Sequence, residues 1–411
     1  MAKIFPIKGI MYNVEQDDNL GKYLCPPFDV VDNDDIERLY ESSKYNVIRL
    51  ENGKTFNSDD EKENKYSRAS QFFNEWISSD ILKKEDNESL FILQEIFKNG
   101  EEELTRCSLI CNVKVENYEN KIIFPHEKTR KKQKEDRFKL MNETKAVFSP
   151  IMSMIEDKDH ELNELIKEEI KSLPFRSGEI PFMHKFNLWK IDEKKKIDFI
   201  SSIFEKEKIF IADGHHRYET SINYKEFNPN VDKRLMNIFS SHDEGLLLFG
   251  YSRAIKNLDK NKLTNLVSEI FQQFSVKELI WDEALLGWNQ SIDQSFIMGY
   301  ENKFYVLSKD DKLISTYEKI HNVLDKVIGK KDLPDHIEYI HDNNILKAKS
   351  ENDDIQISFF MNALSKEYFL NCVSQGKLLP PKSTLFYPKL PTGLVLSLIH
   401  ISEPTRLRRI S

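Results

Sequence analysis

The residue types that can do chemistry are most concentrated in one short stretch, residues 208–219. The apolar run 209–212 predicts a buried strand, the Asp213-Gly214 pair breaks it, and the residues from Arg217 onward favour a helix. A strand, a glycine turn and a helix start together expose backbone N–H groups that can bind an anion. The turn carries one carboxylate, two imidazoles and one guanidinium, which are Asp213, His215, His216 and Arg217. Such a cluster can bind phosphate, ligate a metal or move protons. The alternative is that Asp213 caps the helix and the histidines are ordinary surface residues.

The composition limits the class of protein. The chain has 411 residues, 39% hydrophobic and 31% charged, which suits one large domain or a few ordinary ones with a highly charged surface. Its formal net charge of -8 argues against a nucleic-acid partner, because surfaces that coat nucleic acid are positively charged. No apolar run approaches the ~20 residues that span a bilayer, and residues 1–6 are too short for a signal peptide. We therefore predict a cytoplasmic protein with no membrane contact.

Several other segments must position the central cluster. Residues 90–97 and 104–115 flank Asn99-Gly100 and predict a β-hairpin whose alternating apolar residues are buried on one face. Residues 45–50 predict a further strand. Together with the strand before Asp213, these segments predict a sheet as the framework of the site.

Two loops present single charged groups. The loop 26–31 contains two prolines, which restrict the backbone and present Asp29 in a set direction. Residues 245–251 form a continuous apolar run that predicts a second buried strand, and Arg253 follows it as Arg217 follows the first. Both charged groups are therefore candidates for the same site.

A charged segment follows the hairpin. His126-Glu127 precedes the run 128–139, which predicts a helix. Most charge runs are solvated helix faces. This run also contains Arg137, whose side chain can bind a phosphate. Near the end of the chain, the loop 379–390 is rich in proline, hydroxyl groups and lysine, and it can return two lysines to a phosphate site.

The predicted class is α+β, a mixed α/β fold. We divide the chain into residues 1–255, which carry the central motif, and residues 256–395, a smaller α+β unit with helices at 263–274 and 320–328. Residues 396–411 resemble the translation of a common sequencing adapter and are predicted to be non-native.

The order of several short strings resembles one known family. The strings are Ile4-Phe5-Pro6-Ile7-Lys8-Gly9, Pro26-Pro27-Phe28-Asp29-Val30-Val31, Tyr45-Asn46-Val47-Ile48-Arg49-Leu50, His126-Glu127-Lys128-Thr129, Glu135-Asp136-Arg137, Asp213-Gly214-His215-His216-Arg217-Tyr218-Glu219, Pro381-Lys382-Ser383-Thr384 and Phe386-Tyr387-Pro388-Lys389. On these strings the chain is identified as a member of the domain of unknown function DUF1015, up to about residue 395. One position departs from the family, because Ser252 stands where a histidine is usual.

The Asp-Gly-His-His-Arg string is similar to one in the archaeal ADP-dependent free-serine kinase, of the ParB and sulfiredoxin fold group. There it lies at a helix start and grips nucleotide phosphates. The resemblance implies a ParB/sulfiredoxin-like core with large insertions, and Mg²⁺ with ADP or ATP as cofactor. This resemblance, the positions after predicted strands and the lysine-rich loop 379–390 together predict the phosphate-binding residues. They are Gly214, His215, Arg217, Arg253, Lys382, Ser383 and Thr384.

The leading hypothesis is a nucleotide-dependent phosphotransferase that acts on a small hydroxyl compound, such as a free-serine-kinase-like enzyme. The resemblance implies that Asp29 is the base, that His216 donates to a phosphoryl oxygen, and that His215 or Asp213 orients the phosphoryl group or helps to hold Mg²⁺. Arg217 would grip a phosphate bidentately. Further candidates are His126, Glu127 and Arg137; Glu127 becomes the base if Asp29 only caps the helix after it.

Two other functions stay open at the level of sequence. One is a ParB-like nucleotide-gated switch or adaptor without turnover of a small molecule. The other is a metal-dependent hydrolase that uses Asp213, His215, His216 and His126; it ranks last because adjacent histidines at such a turn diverge. The acceptor, the choice of ADP or ATP and the oligomeric state do not follow from the sequence.

Overall fold

A computed structural model describes residues 1–14, 19–180, 184–283, 294–311, 314–352 and 355–399. The strands are β1 (Ile4–Phe5), β2 (Ile10–Tyr12), β3 (Leu82–Lys84), β4 (Leu90–Asn99), β5 (Glu102–Lys114), β6 (Ile123–Phe124), β7 (Ala146–Val147), β8 (Ile151–Ile155), β9 (Arg176–Glu179), β10 (Lys185–Ile191), β11 (Ile209–Asp213), β12 (Lys233–Ser240), β13 (Leu247–Phe249), β14 (Ser252–Ile255), β15 (Ser275–Leu279), β16 (Ser295–Tyr300), β17 (Lys303–Ser308), β18 (Ile337–Ile340), β19 (Ile357–Phe360), β20 (Leu385–Tyr387) and β21 (Ser397–Leu398). The helices are α1 (Asn33–Ser42), α2 (Ile48–Glu51), α3 (Lys65–Ser78), α4 (Lys131–Thr144), α5 (Glu161–Glu169), α6 (Lys194–Phe204), α7 (His215–Phe227), α8 (Lys260–Gln273), α9 (Thr316–Val327), α10 (Leu333–His336), α11 (Asn343–Glu351) and α12 (Lys366–Ser374), and short 3₁₀ helices cover Leu20–Tyr23 and Tyr118–Asn120. Within these ranges no helix is both long and apolar enough to cross a membrane.

The chain divides into two compact units. The first comprises residues 1–246 and the segment from Pro388 onward, and the second comprises residues 247–387. The boundary predicted from the sequence is 255/256, but β14 pairs with β18 and β19 and so belongs to the second unit. Both units combine helices with sheets, which confirms the predicted mixed α/β class. The narrower ParB/sulfiredoxin assignment stays a prediction.

The first unit is built on a mixed nine-stranded sheet with the order β6-β11-β8-β12-β5-β4-β10-β9, and β1 pairs with β5. The predicted hairpin is confirmed as β4 and β5, whose turn places Gly100 at φ 65°. The alternation predicted along β5 is also confirmed, because its side chains Cys107, Leu109, Cys111 and Val113 share one buried core. That core continues to Ile209 and Ile211 of β11, so the strand that carries the central motif belongs to the same core.

The second unit is built on an antiparallel six-stranded sheet with the order β15-β17-β16-β19-β14-β18. The helix predicted at 263–274 is confirmed as α8, and the one predicted at 320–328 as α9. Gly329 follows α9 with a φ of 99°, in the left-handed region that commonly ends a helix.

Two predicted strands were wrong. Residues 45–50 contain α2, because the Asn46 side chain accepts a hydrogen bond from the Ile48 N–H (2.9 Å) and donates to the Leu24 carbonyl (2.9 Å), which turns the chain into a helix. The run 245–251 forms only the short strand β13, which is half-buried and pairs with β20 in a two-stranded ribbon. Without a neighbour on its other edge, this run does not become a buried strand.

The segment predicted to be non-native begins at residue 396. Leu396 exchanges backbone hydrogen bonds with Ile10 (2.9 Å each), and β21 pairs with β7. The first residues of this segment therefore extend the sheets of the first unit. Residues 400–411 lie outside the described residues.

Candidate functional site

The candidate site is the junction between β11 and α7. The predicted buried strand is confirmed and ends at Asp213, and Gly214 has a φ of 93°. The helix begins at His215, two residues before the predicted start at Arg217. The first intrahelical bond runs from the Tyr218 N–H to the Gly214 carbonyl (2.9 Å), so the preceding amides have no partner inside the helix. No side chain among the described residues caps α7. The amide groups of its first turn are therefore donors that can receive an anion.

Gly214 is constrained both by its backbone and by its neighbour. A Cβ atom at this position would lie 3.0 Å from the Arg217 guanidinium. We expect Gly214→Ala to lower the free energy of unfolding by more than the ~1–2 kcal/mol that a left-handed backbone costs a non-glycine residue. Gly100→Ala is the matched control, because Gly100 also has a positive φ but has no atom within 4 Å of its Cβ position. Equal losses in urea-induced unfolding of the two variants would contradict the contribution of Arg217.

Asp213 is held between two cations. Its Oδ2 accepts from Arg217 Nη2 (3.0 Å), and its Oδ1 accepts from Lys389 Nζ (2.5 Å). Burial by itself would raise the pKa of Asp213, but the charges of Lys389 and Arg217 hold it well below its usual range. Asp213 is therefore ionised near neutral pH. The alternative that it caps the helix is wrong, because its oxygens bind Arg217 and Lys389 and no side chain among the described residues caps α7.

Arg217 points into the protein. It is 5% exposed, and Nη1 donates to the Pro150 carbonyl (2.6 Å) while Nη2 donates to Asp213. The sequence predicted that the Arg217 guanidinium binds a phosphate, but both of its terminal nitrogens already donate to protein groups. This arrangement fixes the first turn of α7 against the start of β8.

His215 and His126 form a buried pair of imidazoles. Their ring centroids are 4.4 Å apart at 87°, and His215 Nε2 accepts from the His126 backbone N–H (3.2 Å). Burial lowers the pKa of both rings, well below the ordinary value for His215, so both are neutral near pH 7. His126 Nδ1 donates to the Ile211 carbonyl (2.8 Å), which leaves its Nε2 unprotonated.

His216 faces the more open side of the junction. Its Nε2 accepts from the Arg130 backbone N–H (3.0 Å), so the neutral ring carries its proton on Nδ1. Partial burial lowers the pKa of His216, and the carboxylates of Glu127, Glu219 and Asp29 act in the opposite direction. The structure thus brings Asp29 and Glu127 to the surroundings of His216, from segments almost a hundred residues apart.

Asp29 itself is exposed in a turn. The residue that caps α1 is Asp32, whose side chain accepts from the Asp35 N–H (2.8 Å) in a capping box. The alternative that Asp29 serves only as a helix cap is therefore wrong.

A metal ion has one candidate position among the described residues. His126, Glu127 and His215 each place a ligand atom within 4.8 Å of the other two. Imidazole with carboxylate suits zinc and related ions better than Mg²⁺, which prefers oxygen ligands. Asp213 does not fit the Mg²⁺ role implied by the resemblance, because Lys389 and Arg217 would repel a third positive charge beside it.

Four predicted phosphate-binding residues lie in the second unit. Arg253 is inside β14, not after a strand, and it is fully buried against the rings of Tyr317 (4.4 Å) and Tyr339 (5.3 Å). Its Nη2 donates to the Pro381 carbonyl (3.2 Å), which ties it to the loop of Lys382, Ser383 and Thr384. Ser383 donates to the Pro380 carbonyl (2.7 Å), and exposed Lys382 lies over the Tyr251 ring. Arg253, Lys382 and Ser383 therefore each have a partner within this unit.

Ser252, the departure from the family, is also buried in the second unit. Its hydroxyl donates to Asn343 Oδ1 (2.7 Å) and accepts from the Met361 N–H (3.1 Å). The serine thus has structural partners of its own.

Sequence reasoning missed or undervalued several residues of the junction. Arg137, expected near phosphate, is 5% exposed and paired with Glu51 and Asp136. Lys389 reaches Asp213, as the return of the loop 379–390 suggested for its lysines. Glu219 accepts from Lys134 Nζ (2.8 Å) and Thr129 Oγ1 (2.5 Å), and its position at the end of the motif string was the available signal.

The chain belongs to the family of proteins of unknown function DUF1015, which matches residues 4–327. The predicted family membership is thereby confirmed. No curated protein matches the chain.

Among solved structures, the chain is similar to a conserved hypothetical protein from Pyrococcus furiosus at 18% identity and a TM-score of 0.39, with 67% of this chain and 92% of that chain covered. It is similar to a free serine kinase in complex with AMP at 15% identity and a TM-score of 0.40, with 69% and 92% covered. It is similar to SbnI with a C-terminal truncation from Staphylococcus aureus at 11% identity and a TM-score of 0.41, with 70% and 87% covered. Such low scores carry no argument about the function of this chain.

Proposed function

We propose that this protein binds a nucleotide at the amino end of α7 and transfers a phosphoryl group to a small hydroxyl compound. The observation that carries the proposal is the uncapped first turn of α7, which follows a left-handed Gly214 at the end of a buried strand. Backbone amides in this arrangement are suited to phosphate because they donate several hydrogen bonds and add the positive end of the helix dipole. The motif at this position is also the one that resembles the free-serine kinase.

The surroundings of this turn supply the other groups that phosphoryl transfer needs. The reaction depends mostly on positioning and on neutralisation of charge. His216 would donate its Nδ1–H to a phosphoryl oxygen, because its Nε2 is occupied by the Arg130 amide. His215 would act indirectly, by holding the His126 backbone beside the turn. Mg²⁺ bound with ADP or ATP would supply further neutralisation of the phosphates.

The acceptor hydroxyl needs a base, and the carboxylates that act on His216 are Glu127, Glu219 and Asp29. Glu219 is already bound by Lys134 and Thr129, so Asp29 and Glu127 are the candidates. The acceptor oxygen would form a bond to phosphorus while the bridging P–O bond breaks and its electrons leave with the nucleotide. The acceptor proton would pass to the carboxylate. Arg217, Asp213 and Lys389 would not touch the substrate; they would hold the turn in its anion-binding conformation.

The test is calorimetric titration of ADP and ATP with Mg²⁺ into the wild type and a His216→Glu variant. A carboxylate in the first turn favours the helix itself, but it repels phosphate. We therefore expect at least ~10-fold weaker nucleotide binding, equivalent to ~1.4 kcal/mol, in a folded protein. His160→Glu is the matched control, because His160 is the exposed residue at the start of α5 in the same unit. Binding that is absent in the wild type, or equal in the wild type and both variants, would refute this site.

The alternative is a nucleotide-binding switch or adaptor without turnover of a small molecule. It shares the same phosphate site and differs only in the acceptor. Nucleotide binding followed by slow hydrolysis, with no transfer to serine or other small hydroxyl compounds, would favour the switch.

A further inference from the structure

A second cluster of charged groups lies behind the first turn of α7. Arg137 of α4, Arg217 of α7 and Arg234 of β12 line one cavity in the first unit, together with Glu51 of α2. The three arginines are each 5–6% exposed. Three guanidinium groups and one carboxylate therefore line the same small interior space.

Two of these arginines have carboxylate partners. Arg217 is paired with Asp213 (3.0 Å), and Arg137 is paired with Glu51 (3.1 Å) and Asp136 (2.5 Å). Glu51 Oε1 also accepts from the Ser149 hydroxyl (2.8 Å). The single carboxylate of the lining is therefore already neutralised by Arg137 and has little capacity left for a further cation.

Arg234 has no carboxylate partner among the described residues. Its Nη2 donates to the Ser149 carbonyl (3.2 Å), its Nη1 contacts only the Met141 sulfur (3.8 Å), and its buried Nε has no acceptor. Burial and the neighbouring charge of Arg217 lower the pKa of Arg234 to about 9, so it is still charged at pH 7. Glu51 is the carboxylate whose charge acts on Arg234, but Arg137 and Ser149 already bind it. A buried cation with so little compensation is unfavourable, and the group that would balance it is an anion.

We propose that this cavity binds a small oxyanion, with Arg234 as its principal donor. The cavity volume is about 20 Å³, which is little more than the ~10–15 Å³ that one water molecule requires. This volume takes one oxygen atom of a carboxylate or phosphoryl group, and it is too small for a base or a sugar. A planar guanidinium presents parallel N–H donors that match the paired oxygens of such a group.

The inference goes beyond the proposed function, because nucleotide binding at the amides of α7 does not require an occupied cavity. Arg217 connects the two places, since it lines the cavity and also holds Asp213. The oxyanion can come from a phosphoryl group of the nucleotide or from a separate small acid. Both sources offer the same chemistry to Arg234.

The experiment measures the melting temperature of the full chain in potassium phosphate, potassium acetate and potassium chloride at equal ionic strength. Binding to the folded state raises the melting temperature, so we expect phosphate or acetate to raise it above the chloride value. Arg234→Met should lose this rise. Arg253→Met is the matched control, because Arg253 is also a fully buried arginine but belongs to the second unit, and it should keep the rise.

Addition of ADP distinguishes the two sources. If the rises caused by ADP and by the anion add, the anion is a separate acid; if ADP abolishes the anion effect, a phosphoryl group occupies the cavity. No anion-specific rise in the wild type, or an undiminished rise in Arg234→Met, would overturn the proposal. Should Arg234→Met fail to fold, crystals of the wild type soaked in selenate decide, because anomalous scattering either shows selenium beside Arg234, with one oxygen in the cavity, or does not.

Discussion

Asp213→Ala is expected to lower the free energy of unfolding of the first unit by about 3–5 kcal/mol, because removal of one partner leaves buried charges uncompensated. Two cations depend on this carboxylate. Arg217 is 6% exposed and Lys389 16% exposed in their side chains, and both donate to Asp213. The change would also release the first turn of α7 from the segment that begins at Pro388.

Urea-induced unfolding of the variant and the wild type measures this loss. Asp159→Ala is the matched control, because Asp159 also pairs with a lysine, Lys206, but is 68% exposed. Exposed pairs contribute at most ~1 kcal/mol. A loss for Asp213→Ala that is no larger than the control loss would mean that the paired cations are not buried as described.

The difference in unfolding free energy between the wild type and Asp213→Ala should depend on pH in a definite direction. The folded-state pKa of Asp213 is held below its unfolded value. Its contribution to stability is therefore fully present above the unfolded pKa of about 4 and is lost as the pH falls toward the folded value. The difference between wild type and Asp213→Ala should be full at neutral pH and shrink in acid; a difference that grows in acid would contradict the ion pairs.

Asp29→Asn is expected to reduce phosphoryl transfer by about 100–10,000-fold, the usual contribution of a general base. Nucleotide affinity should change little, because the proposed phosphate donors are the amides of α7 and not the loop that carries Asp29. The reason for choosing Asp29 is its position, since it is exposed in a turn and its charge acts on His216. Steady-state turnover with serine or another hydroxyl acceptor, and calorimetric titration of ADP, separate the two quantities.

Two further variants make the assignment of the base specific. Glu127→Gln tests the second carboxylate, and a large loss there with normal turnover of Asp29→Asn would move the role to Glu127. Asp32→Asn is the control, because Asp32 caps α1 in the same loop and asparagine caps a helix equally well. If both Asp29→Asn and Glu127→Gln turn over at the wild-type rate, neither residue is the general base.

Local features of the fold followed well from the sequence. The hairpin of β4 and β5 was predictable because Asn-Gly turns and alternating apolar residues depend only on neighbours in the chain. The junction at Gly214 was predictable for the same reason, since an apolar run, a glycine and a helical segment occur consecutively. The segment 45–50 was not predictable in this way. Its β-branched residues favour a strand, but the side chain of Asn46 donates a hydrogen bond to the distant Leu24 carbonyl, and the segment forms a helix.

Most local elements of this protein follow from the order of its residues, and so do the chemical types at its central turn: one carboxylate, two imidazoles and a guanidinium after a buried strand. The groups that these side chains face follow from the folding of distant segments onto one another. This folding turned Arg217 inward to Pro150, gave Asp213 a partner in Lys389, and placed Arg253 in the second unit. The physical reason is that helices and turns depend on contacts between near neighbours, whereas charge pairing and burial depend on which distant segments the sheet order brings together.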